Sequence, residues 1–451
     1  MARMVRRTRF ADLSDGAVAA AKDVTLDTVG AILAGSRLPE NARLARLAAD
    51  RSGPRTATLI GHPWRGEPML AALANGTAGV SLEVDEGNRF GGGHPAIHVL
   101  PAALAVGEEV GADGRRLIES LVAGYEITSR LGGATRTRAN VHSHGTWGTI
   151  GAAVAVARLL DRDEHAIRST MNLAGSMSPA NSWTPCFEGA TIRNLYPGRA
   201  GLQGILAGHL LDCGYTGLAD APADVYGTIL GDGFDAASAL ADLGADDRPQ
   251  VFRIERNYFK FHACCLYNHP ALDAVRALTG AERVASETIA RITVRSVPFV
   301  AQMANPAPAN MLAAKFSVPY AVAAAVVTGA TDVSAFLDPA RQDPRIADLA
   351  KRVEVQGDAT MSMRNADQPT ARVSITLVNG RVLTRETTVV RGDAANPVSR
   401  EERIGKFMTL APEALGAGRA RPVVDVVDRL DQLKDVRELT ELLGGGGPCS
   451  T

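Results

Sequence analysis

Between residues 370 and 390 the chain reads TARVSITLVNGRVLTRETTVV, with apolar and polar residues alternating on both sides of Asn379-Gly380. That alternation marks two half-buried strands, and Asn-Gly between them is the strongest short-range hairpin signal. The same period recurs in ETIARITVRSV (287–297) and KRVEVQ (351–356). AKFSVPYAVAAAVVTG (314–329) and DPRIADLAKRV (343–353), which lie between these runs, carry helical spacing. This stretch is therefore expected to form a small α+β unit.

Outward from it the period changes. VAAAKDVTLDTVGAILAG (18–35), HVLPAALAVGEEVG (98–111), GRRLIESLVAGYEITSRLG (114–132) and GTIGAAVAVARLL (148–160) repeat apolar residues at helical spacing. Several have little charge on any face, as the central helices of a large bundle or of a dimer would. After Asn396-Pro397 the chain turns helical again through VVDVVDRLDQLKDVRELTELLG (423–444), so the α+β unit reads as an insertion. The tail 444–451 has nothing apolar to bury and is expected to be disordered.

The chain has 451 residues, 46% hydrophobic, enough for two ordinary cores. Its 48 Lys and Arg against 49 Asp and Glu leave no field that would draw it to nucleic acid. The basic opening runs into polar residues, so no secretory signal is read, and no apolar run reaches membrane-spanning length. The expectation is a soluble cytoplasmic protein. Cys186, Cys213, Cys264, Cys265 and Cys449 contain no C-x-x-C pair, which argues against a disulfide framework or thiolate zinc.

The densest polar cluster runs from Asp85 through Glu86, a triple glycine and His94 to Pro95. It offers acids and a histidine for proton chemistry on a bendable backbone, or simply a turn and helix cap. His142 and His144 precede an apolar helix whose free N–H groups suit an anion; no third metal ligand accompanies them. Arg193 and Arg199 flank Tyr196 at another helix start, either as carboxylate forks or as solvated surface. His262, Cys264, Cys265 and His269 crowd together, but adjacent cysteines do not easily face one ion. Lys260 lies among aromatics that would lower its pKa or hold it against an anion, unless it snorkels, and Tyr320 alone reads as a core aromatic. No Walker loop, strand-linked dinucleotide fingerprint or serine-nucleophile elbow occurs.

Six segments in order resemble the MmgE/PrpD family: 82–105, 144–160, 192–207, 258–275, 314–325 and 392–407. That family includes 2-methylcitrate dehydratase, cis-aconitate decarboxylase and iminodisuccinate epimerase. The resemblance implies a mostly α fold in which a large helical domain is built from both chain ends, 1–257 and 395–443. A smaller α+β lid domain, 258–394, is inserted. It also implies a homodimer with the active site between domains and no cofactor; the lack of a complete ligand set leads to the further expectation of no metal. By motif, Asp85, His94, His142, Lys260 and Tyr320 match the family's site residues. Arg193, His144 and Tyr196 stand where the family commonly has other residues, so the substrate's carboxylate pattern is expected to differ from methylcitrate.

On this reading His94 and His142 move protons, Asp85 orients or charges one of them, and Tyr320 bonds the substrate or leaving group. Arg193 and Lys260 clamp carboxylates, and His144, Tyr196 and Arg199 complete the substrate contacts. The reaction begins with a proton removed next to a carboxylate of a small polycarboxylic acid. Loss of water then gives a dehydratase, favoured as the commonest family assignment; decarboxylation and epimerisation are the alternatives. A non-catalytic carboxylate-binding protein is a more distant one.

Overall fold

The computed structural model describes residues 1–244, 249–282, 284–363, 368, 370–416 and 418–445. The fold is mostly α with a smaller α+β domain. Its helical part includes α1 (Asp15–Ser36), whose N-cap Ser14 accepts from the Ala17 N–H. It continues through α2 (Pro68–Val80), α3 (Pro95–Val110), α4 (Gly114–Ala134), α5 (Gly148–Leu159) and α6 (Leu195–Asp212). Every residue of α5 is buried, which explains its lack of a polar face. Gly151 permits this packing: a Cβ there would lie 1.8 Å from Thr128 Oγ1 on α4.

The α+β part holds α7 (His269–Glu282), β1 (Ile289–Ser296), α8 (Val318–Thr328), α9 (Pro344–Ala350), β2 (Val353–Gly357), β3 (Ala371–Leu377) and β4 (Val382–Thr387). Its sheet runs β2-β1-β3-β4, with β1 parallel to β2 and the other neighbours antiparallel. Gly380, at φ +85°, turns β3 into β4, so the expected Asn-Gly hairpin is present. Leu272, Val294, Val322, Leu349, Val373 and Ile375 fill a core of their own under the sheet.

The chain then returns through α10 (Arg400–Leu410), α11 (Ala420–Asp428) and α12 (Arg437–Leu443) to the first core. Phe407, Val423, Val427, Leu430 and Leu439 pack there with Leu26, Ile32, Val99, Leu117 and Leu121. The two crossings between the parts are tied together. Tyr258 exchanges backbone hydrogen bonds with Gly87 and bridges to Asp393, while the Phe259 N–H donates to the Gly392 carbonyl at 2.9 Å. We propose these crossings as the domain boundaries, at 257/258 and 394/395. Of the tail expected to be disordered, Gly444 and Gly445 are instead ordered against Ile60 and His62 by backbone hydrogen bonding. The rest of it lies outside the described residues.

Each fully buried Phe, Val or Leu side chain of α10 to α12 stabilises by roughly 1.5–3 kcal/mol, so together they rival the ~5–15 kcal/mol net stability of a whole domain. A chain truncated after residue 255 is therefore expected to be insoluble or unfolded. A cooperative thermal transition in that fragment would overturn the two-ended first core.

Candidate active site

The loop between α2 and α3 carries the acids. Glu83 has φ +55°, a left-handed conformation costing a non-glycine residue roughly 1–3 kcal/mol. Charge holds it there: Oε1 lies 2.5 Å from Arg193 Nη1 and Oε2 accepts from Lys260 Nζ at 2.9 Å, all three side chains being buried. Lys260 Nζ also lies 3.7 Å from Asp85 Oδ1. Burial alone would raise the pKa of Glu83, but Arg193 and Lys260 overcome it and hold the carboxylate ionised, well below its usual range. Burial would likewise discharge Lys260, and Glu83 with Asp85 instead raises its pKa.

Four histidines stand beside this cluster, and their backbone partners define their tautomers. His94 Nδ1 lies 2.7 Å from the Glu86 carbonyl oxygen and 3.3 Å from Asp85 Oδ2. A carbonyl only accepts, so Nδ1 carries the proton and Nε2 keeps its lone pair. Burial, reinforced by Lys260, pushes the His94 pKa below the ordinary 6.5 and leaves a neutral base. His142 has the opposite tautomer. Its Nδ1 accepts the His144 backbone N–H at 2.9 Å, so the proton sits on Nε2, which is buried without a partner. Burial and then Arg193 drive its pKa well below the ordinary value. The His144 ring stacks on His94 at 4.7 Å and lies 4.9 Å from His142. Its Nε2 faces Arg193 Nη2 at 3.4 Å, leaving an unpartnered Nδ1–H. His98 bonds the His94 carbonyl and the Gly145 N–H, tying the two histidine loops together.

Glu83, His94, His142, His144 and Arg193 line one side of a cavity of about 260 Å³, and Gly92, at φ +61°, lets the loop bend around it. The opposite wall comes from the α+β part: Cys265, Leu266, Tyr267, Phe299, Phe316 and Met363. Trp183 joins the two, its ring 3.8 Å from His142 and 4.8 Å from Phe299. A neutral imidazole base, two N–H donors and a guanidinium thus converge on a space bounded by both parts of the chain.

Residues 1–231 match the MmgE/PrpD N-terminal domain and residues 262–432 the MmgE/PrpD C-terminal domain. The chain belongs to the MmgE/PrpD family. It is 24% identical to cis-aconitate decarboxylase of Aspergillus terreus over 464 residues, covering 96% of this chain and 92% of that protein. It is 26% identical to the cis-aconitate decarboxylase-like protein oryM of Aspergillus oryzae over 300 residues, 61% of this chain and 60% of that one. This MmgE/PrpD protein is accordingly an enzyme of lyase type.

Several expected site residues lie elsewhere. Tyr320 is in the core of the α+β part, where its hydroxyl donates to the Ala335 carbonyl at 2.8 Å. The bland reading of it as a satisfied core aromatic matches this placement. Tyr196 and Arg199 sit behind the cavity wall: Tyr196 bonds the Ser182 carbonyl, and Arg199 reaches Asn181, which in turn holds the His144 carbonyl. Asp85 and Lys260 are buried behind the lining. Of the amides near the start of α5, where an anion was expected, Gly145 donates to His98 and Thr149 to the Thr146 carbonyl. His262 bonds Thr331 and Asp273, and His269 faces the Cys264 carbonyl. Among the described residues no group of three or more His, Cys, Asp or Glu is placed to hold a metal ion.

Glu83 escaped the sequence reading, as did the aromatic wall of Trp183, Tyr267 and Phe299. The signal for Glu83 was its position two residues before Asp85 in the same polar loop.

Removing one partner of a buried ion pair costs about 3–5 kcal/mol. Glu83→Ala is expected to lose that much in denaturant unfolding, whereas Tyr320→Phe should leave kcat within a factor of about two, since its hydroxyl bonds only protein. Because the His94 pKa is lowered, the acid limb of kcat/KM should fall below pH 6.5, activity being full above it and lost as the ring protonates. An acid limb above pH 6.5 that His94→Gln leaves unmoved would remove His94 as the base.

Proposed function

We propose that this protein is a cofactor-independent hydro-lyase that eliminates water from a small acid carrying at least two carboxylates, as 2-methylcitrate dehydratase does. The observation that carries this reading is the tautomer of His94, whose lone pair faces the cavity. Abstracting a proton next to a carboxylate demands a base that is neutral at working pH and fixed positive charge for the enediolate that develops. His94 Nε2 supplies the first and Arg193 the second.

His142 takes a narrower role than general acid. With Nδ1 committed to a backbone N–H, it cannot become doubly protonated without losing that bond, and it acts as a hydrogen-bond donor to developing negative charge. The proton for the leaving hydroxyl then comes from His94 itself. His94 Nε2 takes the α proton, the C–H electron pair forms the double bond, the β C–O bond breaks, and the same proton leaves with the hydroxyl as water. Asp85 and Glu83 favour the intervening imidazolium by charge.

Decarboxylation is the second reading, supported by the names of the relatives. It needs a proton donor ready when carbon dioxide departs, and a neutral His94 favours abstraction first. Epimerisation would share the abstraction step and return the proton to the other face. A homodimer is also proposed, with support from Ile192, Tyr215, Leu218 and Ile229, which are exposed in one chain; sedimentation at micromolar concentration tests it. Among the described residues no helix is long and apolar enough to cross a membrane, and a cytoplasmic location is proposed with it.

Incubation with 2-methylcitrate, citrate, cis-aconitate and iminodisuccinate in heavy water, followed by proton NMR, should show deuterium entering at the α carbon of a hydroxy acid. His94→Ala should reduce that exchange and kcat together by ~10²–10⁴-fold. Release of carbon dioxide without exchange into a hydroxy acid would establish the second reading instead. Dialysis against EDTA should leave activity intact; loss restored by a divalent ion would show that the histidines are ligands.

A further inference from the structure

The charges around the cavity are matched before any substrate enters. Arg193 lies 2.5 Å and Lys260 2.9 Å from Glu83, and Arg89 Nε lies 2.8 Å from Asp393. Three buried donors on the residues of the inner wall remain without a hydrogen-bond partner: Arg193 Nε–H, His142 Nε2–H and His144 Nδ1–H. That group suits one carboxylate. At the rim Arg138, half exposed and 3.3 Å from Asp232, can meet a second carboxylate that keeps contact with water.

The wall contributed by Trp183 and the α+β part is largely apolar. Trp183, Leu266, Tyr267, Phe299, Phe316 and Met363 face the cavity, with Tyr267 and Phe299 centroids 4.5 Å apart and Trp183 against Phe299 at 4.8 Å. None of these residues carries a charge, and the donors on that wall are the neutral Trp183 N–H and Tyr267 O–H. A third carboxylate placed there would lose its water without gaining a charged partner.

We propose that the substrate is a substituted dicarboxylate. One carboxylate meets the Arg193, His142 and His144 donors, the second lies at the Arg138 rim, and an apolar arm of isobutyl to benzyl size fills the Trp183–Phe299 wall, where a citrate-like acid would carry its third carboxylate. This inference rests on the reading of the cavity as a site for proton abstraction beside a carboxylate, and it names the class of acid.

The test uses succinates that differ at one carbon: benzylsuccinate, isobutylsuccinate, methylsuccinate and propane-1,2,3-tricarboxylate. None has a hydroxyl to lose, so calorimetric affinity is measured apart from chemistry. The benzyl or isobutyl compound is expected to bind about tenfold or more tighter than the tricarboxylate. Phe299→Arg, which puts a cation where the arm lies, should reverse that order. Equal or tighter binding of the tricarboxylate by the unmodified protein overturns the proposal, as does failure of every succinate to bind. If the order holds but the matching hydroxy acids exchange no α proton, the chemistry proposed above falls and the substrate class stands. If only tricarboxylic acids exchange, the class falls and the chemistry stands.

Discussion

The Glu83 carboxylate, buried between Arg193 and Lys260, is the interaction on which the site depends. Its partners enter from distant parts of the chain: Arg193 from the turn before α6, Lys260 from the segment that leads into the α+β part. A buried carboxylate with one cation would carry a large desolvation cost, and with two it becomes a fixed junction whose position all three segments share. The left-handed backbone at Glu83 is the local strain this junction sustains. Lys315 braces the same loop from the other side, donating to the carbonyls of Leu82 and Ala263, and burial pushes its pKa down to about 7.

Burial also explains how three rings can share one wall without repelling each other. Charged imidazoles at stacking distance would oppose one another; desolvation first, and Arg193 or Lys260 after it, keeps His94, His142 and His144 neutral. Their tautomers are then set by the backbone atoms they meet. The Glu86 carbonyl leaves His94 a lone pair on Nε2, and the His144 N–H leaves His142 a proton on Nε2. Secondary structure thus selects the chemistry, since both partners belong to the loops that precede α3 and α5.

Much of this was legible in the chain. Period alone located the strands, the Asn379-Gly380 hairpin and the helical return after Pro397, because each of those elements buries one face against one core. The site was legible to the extent that a polar residue interrupts an apolar pattern, as His94 and His142 do. Tyr320 shows the limit. A tyrosine opening an apolar helix looks the same in sequence whether its hydroxyl meets a ligand or a backbone carbonyl, and here Ala335 lies within reach. Lys260 shows another: aromatic neighbours suggest a lowered pKa or a buried anion, and it is the second that holds, through Glu83 and Asp85, residues more than 170 positions away that the local sequence does not name. Trp183 and Phe299 escaped because apolar residues at a cavity wall and in a core have the same sequence pattern.

The arginine at position 193 follows from the same junction. An ammonium group is a single point, and one held by Glu83 at ion-pair distance would have its donors drawn toward that carboxylate. A guanidinium spreads five N–H groups over a rigid plane. Arg193 turns Nη1 to Glu83 and Nη2 to His144, keeps Nε–H without an acceptor, and stacks over Phe316 at 5.1 Å. One side chain therefore closes the buried ion pair, holds the central histidine ring in place and retains a donor for the cavity. The aromatic surface beneath it restricts where that plane can lie, so the direction of the remaining donor is set by packing on the α+β part. Closing the two parts of the chain on each other is thus what aims the charge, and a site assembled this way is complete only when both are in place.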